Sequence, residues 1–238
     1  MPEDWRHAVV ATIYKNISPV DQCDSYRPIS LLCVMYKLFA SLLLMRLQEA
    51  GAEDRLTGTQ YGFRRKRGTT DAIQAARRHI ELARATRGGK VALLALDWKK
   101  AFDSINVDAL LDALTTFGVP PHMLQLIGNI YGSRHFCVAD GSQRSGDREQ
   151  KSGISQGCPL SPFLFVMVMS VLVKDVEKKL DTDIRRSMDC GDMSILLYAD
   201  DTVLIGRNEH HLQQLLNEIA GAGANMGMEL HLGKFQLL

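Results

Sequence analysis

The 238-residue sequence predicts an α+β fold, on three observations. Some segments repeat apolar residues at helical spacing, while others are short continuous apolar runs of the kind that form buried strands. Gly118 with Pro120, Asp140-Gly141 and Ser161-Pro162 punctuate these segments with turn and cap signals. The composition, 46% hydrophobic and 23% charged, is that of a chain able to bury a core. No repeat or low-complexity linker divides it, so its elements must share cores.

In chain order, residues 30–48 are predicted as a helix. Residues 71–87 are a second helix, with Ile73, Ala76, Ile80 and Ala83 along one stripe and Arg77, Arg78 and Arg84 beside it. Residues 91–96, after Gly88-Gly89, read as a buried strand ending in Asp97. Val107–Phe117 is a helix stopped by Gly118, and Pro121–Tyr131 follows as its antiparallel neighbour. Residues 134–139 are extended, and Asp140-Gly141 turns the chain. Ser161 reads as an N-cap with Pro162 at the first helical position, opening a helix to Leu180. Residues 195–198 and 202–205 flank Ala-Asp-Asp as a hairpin without a turn glycine. A helix over 209–220 and a strand near 228–232 complete the chain.

Several function classes are excluded. The longest apolar run, 163–173, is about half the roughly 20 residues that span a bilayer. The start of the chain lacks a signal-peptide pattern, so an intracellular protein is expected, with nucleus or cytoplasm left open. Five scattered cysteines form no C-x-x-C pair and are expected to be reduced and mostly buried. No Walker motif occurs, residues 221–227 miss the dinucleotide fingerprint and read as a helix end, and His210-His211 lacks metal-ligand spacing.

The formal net charge is +1, but residues 60–90 carry +7 and the remainder −6. That asymmetry suits either a polyanion-binding surface or a solvated helix face. Asp97 and Asp200-Asp201 end apolar strands. Each alone could be a turn residue, but together they could hold hard Mg²⁺ ions for phosphoryl transfer. Spacing alone does not show that they meet.

Tyr-Ala-Asp-Asp at 198–201, Leu-Asp-x-x-x-Ala-Phe-Asp at 96–103 and Gly-Ile-Ser-Gln-Gly-Cys-Pro-Leu-Ser-Pro at 153–162 together resemble the palm of a reverse transcriptase. Tyr-Arg-Pro-Ile-Ser-Leu-Leu at 26–32 and the basic segment at 60–73 are similar to finger motifs of non-LTR retrotransposon enzymes. The resemblance runs from about Trp5 to Lys234. It implies a right-hand polymerase with mainly helical fingers over 1–90 and a palm over 91–238, the palm an antiparallel sheet packed with helices. A thumb is not expected within these residues, and thumb and endonuclease domains are expected elsewhere in a longer polyprotein.

The resemblance also implies roles. Asp97 and Asp200 would bind two Mg²⁺ ions, with Mn²⁺ a possible substitute, and Asp201 would stand beside them. Lys234 would be a general acid, although His231 and Phe235-Gln236 depart from the Leu-Asn-x-x-Lys-Thr-Glu pattern. Phe102 would be a steric gate against a 2′-hydroxyl, Gln156 and Gly157 would contact nucleotide and template, and Arg64 and Arg67 would meet the triphosphate. The partners implied are an RNA template, a DNA primer and dNTPs, with no membrane. Three alternatives remain at this point. They are a non-catalytic RNA-binding relic, an RNA-dependent RNA polymerase, against which Ala199 and Phe102 argue, and a group II intron or retron-type reverse transcriptase.

Overall fold

The computed structural model describes residues 1–16 and 19–238. Its strands form two sheets. In the first, β1 (His7–Tyr14) pairs antiparallel with β2 (Tyr26–Leu31) and parallel with β4 (Arg134–Asp140), which also pairs with β5 (Gln143–Arg144) and β6 (Arg148–Gln150). In the second, β3 (Ala92–Leu96) lies between β8 (Asp201–Gly206) and the short β9 (Gln236–Leu237), and β8 continues the hairpin from β7 (Met193–Tyr198).

The helices are α1 (Val34–Glu49), α2 (Thr69–Ala85), α3 (Ala101–Ser104), α4 (Val107–Phe117), α5 (Pro121–Tyr131), α6 (Ser161–Lys179), α7 (Thr182–Asp189) and α8 (Glu209–Asn225). The continuous apolar stretch of α6 is explained by its position, since every residue from Phe163 to Val173 is buried and the helix packs against α4 and α8. Among the described residues, no helix is long and apolar enough to cross a membrane.

The expected helix over 30–48 begins only at Val34, because residues 26–31 are an edge strand. Pro28 lacks an N–H and is tolerated on that edge, while the Ser30 N–H donates to the Gln156 carbonyl at 2.7 Å. Ser161 is not the N-cap. Leu160 holds that position, and the buried Ser161 hydroxyl pairs with the Tyr131 hydroxyl at 2.9 Å. The helix over 209–220 continues to Asn225, with Gly223 against the Trp98 ring, so the glycines of 221–223 lie inside it. The strand near 228–232 reduces to one bridge between Leu230 and Trp98. On α2, Ile73 faces solvent, and the helix buries Ala83 with Ala72, Ala76, His79 and Ile80 half-buried. Among the free cysteines, Cys137 and Cys158 are buried, whereas Cys23 and Cys190 are exposed.

Residues 1–90 supply two strands as well as two helices, and their sheet is completed by strands from 134–150. The sequential boundary at residue 90 therefore does not divide the first sheet. The reason is the parallel β1–β4 pairing, which joins segments about 130 residues apart and has no local sequence signal.

Candidate active site

Strand register assembles the acidic cluster. Leu96 of β3 lies opposite Thr202 of β8, so Asp97, one residue beyond β3, comes level with Asp201. Asp200 occupies the hairpin loop between Tyr198 and Asp201, the closing pair of β7 and β8. The buried Trp98 indole N–H donates to the Thr202 hydroxyl at 3.1 Å and ties the two elements together below the carboxylates.

The electrostatics of this corner are unfavourable for anions. Burial raises the Asp200 pKa above the ordinary carboxylate value, its own backbone N–H opposes that, and the Asp201 and Asp97 charges raise it further. Asp201 is raised by desolvation and then by Asp97. The compensating cation is Lys234, whose Nζ lies 2.9 Å from Oδ2 of Asp97. The chain reaches that position because the His231 N–H donates to the Asp97 carbonyl at 2.7 Å.

Three hard oxygen donors with like-charge repulsion and one ammonium suit a divalent cation. Among the described residues, the group whose ligand atoms lie within 4.8 Å of one another is instead His7, Cys137 and Asp147. The three aspartates are more widely spread. The His7–Asp147 hydrogen bond, at 2.9 Å, already accounts for two members of that other group.

A second group of predicted residues forms a wall. The half-buried Phe102 ring stacks on Phe165 at 4.5 Å between centroids, and its carbonyl accepts from the Ile154 N–H at 2.6 Å. The Gln156 amide donates to both Asp103 carboxylate oxygens, at 3.3 and 3.2 Å. Gly157 has φ +121°, and a Cβ there would stand 2.5 Å from the Ser30 carbonyl oxygen, so glycine lets this loop lie against β2.

The loop is held from behind by buried Arg134. Its guanidinium donates to the Ser155 hydroxyl and the Gly153 carbonyl, each at 2.6 Å, and lies 4.6 Å from the Tyr131 ring centroid. A cavity of about 670 Å³ opens beside this wall, lined by Thr12, Tyr26, Pro28, Ser30, Asp103 and Gln156 among others. That volume lies within the usual range for a small-molecule site.

The two predicted arginines are turned elsewhere. Arg64 donates to the carbonyls of Thr57, Gln60 and Glu53 at 3.0 to 3.2 Å, and burial lowers its pKa. Arg67 bonds the Gly58 carbonyl and lies over the Tyr61 ring. Backbone N–H groups reach the Thr57 and Thr59 carbonyls of this loop, and the guanidinium forks of Arg67 and Arg64 supply donors to those of Gly58 and Gln60. The cations whose charge reaches Asp103 are Lys100 and Lys15, both bonded to Asp24.

Three residues here were given no role by the sequence. Asp103 lies inside the 96–103 motif and is the partner of Gln156. Gln60 and Gly62 open the 60–73 motif and pack on the Ala199–Asp200 turn. Their signal is their place at the start of the motif, ahead of its basic residues.

Comparison with known proteins identifies the family. Residues 13–238 match the family described as reverse transcriptase (RNA-dependent DNA polymerase). The chain is 30% identical over 165 residues to the probable RNA-directed DNA polymerase from transposon BS of Drosophila melanogaster, covering 69% of this chain and 18% of that protein. It is 28% identical over 239 residues to the RNA-directed DNA polymerase from mobile element jockey of the same organism, covering 99% and 24%. The chain thus spans less than a quarter of the length of these relatives. Among solved structures, the telomerase of Candida tropicalis in complex with a fragment of telomeric RNA superimposes with a TM-score of 0.72 at 12% identity, over 100% of this chain and 41% of that one, a likeness of fold. The chain belongs to the reverse transcriptase family, and the relatives it matches are polymerases of non-LTR retrotransposons.

Proposed function

We propose that this chain is the polymerase module of a retrotransposon polyprotein and adds dNTPs to a primer 3′-hydroxyl on an RNA template. The observation that supports the reading is the β3–β8 register, which brings Asp97 level with Asp201 and next to the loop that carries Asp200. Asp97 and Asp200 would hold two Mg²⁺ ions, which Mn²⁺ could replace, with Asp201 as support. Bound there, the ions supply activation of the hydroxyl and charge stabilisation on the phosphate oxygens.

The other roles follow from position. Phe102, backed by Phe165, would limit room beneath the sugar of a bound nucleotide. Gln156 and Gly157 orient that nucleotide and the template. Lys234 neutralises Asp97 and is the candidate proton donor to pyrophosphate. Arg67, with the exposed Arg77, Arg78 and Arg84 of α2, favours nucleic-acid phosphates, whereas the bonds of Arg64 favour a bracing role. In this reading the palm is the β3, β7, β8, β9 sheet with its helices, and the fingers combine residues 1–90 with strands from 134–150.

The test is single-nucleotide primer extension on an RNA template with Mg²⁺, comparing wild type with Asp200→Asn and dNTP with rNTP. Incorporation of dNTP that disappears in the variant is expected. Duplex binding without incorporation would instead favour a non-catalytic RNA-binding module.

A further inference from the structure

We infer that Gln60 is a positioning residue for the Asp200 turn, its side-chain amide holding Ala199 in the conformation from which Asp200 and Asp201 project. This deepens the proposed polymerase reading and rests on it for its consequence in catalysis.

The Tyr198–Asp201 pair closes a two-residue loop of Ala199 and Asp200. Ala199 has φ +58°, a left-handed conformation that such a loop ordinarily gives to glycine. The loop is held by a segment more than a hundred residues upstream. Gln60, fully buried, accepts through Oε1 from the Ala199 N–H at 3.0 Å and from the Gly62 N–H at 2.8 Å. Its Nε2 donates to the Ala199 carbonyl at 3.4 Å. The backbone repeats the attachment beside it, with the Leu197 N–H on the Thr59 carbonyl at 2.9 Å and the Tyr61 N–H on the Leu197 carbonyl at 2.8 Å.

The chemistry selects the residue type. One head group must accept two N–H bonds and donate one to a carbonyl, and a neutral primary amide does both. Glutamate could accept but not donate, and would bury an anion at this turn. Gly62 completes the fit, since a Cβ there would lie 2.3 Å from the Ala199 nitrogen. Ala199 is therefore gripped at its N–H, its carbonyl and its backbone surface by residues 60–62. Small displacements of groups that orient reacting atoms cost rate steeply, which gives the grip its catalytic weight.

The test combines amide hydrogen exchange with primer extension in Gln60→Met. Exchange at the Ala199 N–H is expected to accelerate at least about tenfold, with Leu204 and Ile205 of β8 unchanged. The kcat for dNTP addition is expected to fall at least about tenfold while the dNTP KM stays within about twofold. Adding Ala199→Gly to Gln60→Met should recover part of the rate, because glycine takes the positive φ without being held. Unchanged exchange at Ala199, or acceleration spread evenly over β7 and β8, overturns the inference. If Gln60→Met does not fold, Gly62→Ala carries the same two readouts. Should the unsubstituted protein incorporate nothing, the polymerase reading fails, and exchange at Ala199 alone decides whether Gln60 holds the turn.

Discussion

The Lys234 ammonium lies 2.9 Å from Oδ2 of Asp97, although 137 positions separate them in sequence. The pair lies near Asp200 and Asp201, whose pKa values burial and the repulsion of neighbouring carboxylates raise. A divalent cation entering this corner would compete with Lys234 for the same oxygen.

That competition predicts opposite effects of Lys234→Met on binding and on chemistry. Affinity for Mn²⁺, titrated by electron paramagnetic resonance without nucleic acid, should rise about three- to tenfold, since removing an adjacent positive charge is worth about 1 kcal/mol at a half-exposed site. Nucleotide incorporation should fall in the same variant. Unchanged Mn²⁺ affinity would show that the ion pair does not guard the metal position.

Asp103 predicts a pH dependence of stability. Burial raises its pKa above the ordinary 3.8, against the opposing effects of Gln156, Lys100 and Lys15. The folded state thus binds the proton more tightly than the unfolded state. This contribution is complete below 3.8 and is lost as pH rises through the raised value. Asp103→Asn removes that slope, so its Tm should gain on wild type as the pH is taken from about 4 to 7. Parallel Tm curves would contradict the assignment.

Arg64 is predicted to act on stability rather than on substrate. Arg64→Ala removes three guanidinium bonds, to the carbonyls of Thr57, Gln60 and Glu53, and should cost about 2 kcal/mol in urea unfolding. The dNTP KM of the folded variant should stay within about twofold of wild type. A large rise in KM with unaltered stability would return Arg64 to the triphosphate.

Phe102 joins packing to selectivity. Phe102→Ala removes a ring stacked on Phe165 and should destabilise the protein by about 3 kcal/mol. The preference for dNTP over rNTP should fall at least about tenfold, read from the two kcat/KM values. Equal loss of both activities would assign the ring to the core alone.

The local elements were legible because their signals are local. Val107–Phe117 and Pro121–Tyr131 appear with the expected bounds, since Gly118 and Pro120 terminate and restart the helix within a few residues. The order of the motifs around Asp97, Phe102, Gln156 and Asp200 likewise identified the family. Errors arose where a distant partner overrode local preference. Residues 30–33 continue an apolar pattern into α1, yet β1 pairs with residues 26–31 as a strand. Ser161 has the chemistry of a cap, but its hydroxyl is taken by Tyr131.

The sequence by itself determined the chain's family, helices with local stop and start signals such as α4 and α5, and the acidic and aromatic residues available for chemistry, because those are properties of residue type and short spacing. Only the tertiary structure decided how they meet. Register between β3 and β8 set Asp97 level with Asp201, the 231–234 turn brought Lys234 to Asp97, and the carbonyls of Thr57, Gln60 and Glu53 hold Arg64. Gln60 came to Ala199 for the same physical reason. Buried polar groups must find partners, and the folded chain supplies them from positions that sequence spacing cannot reveal.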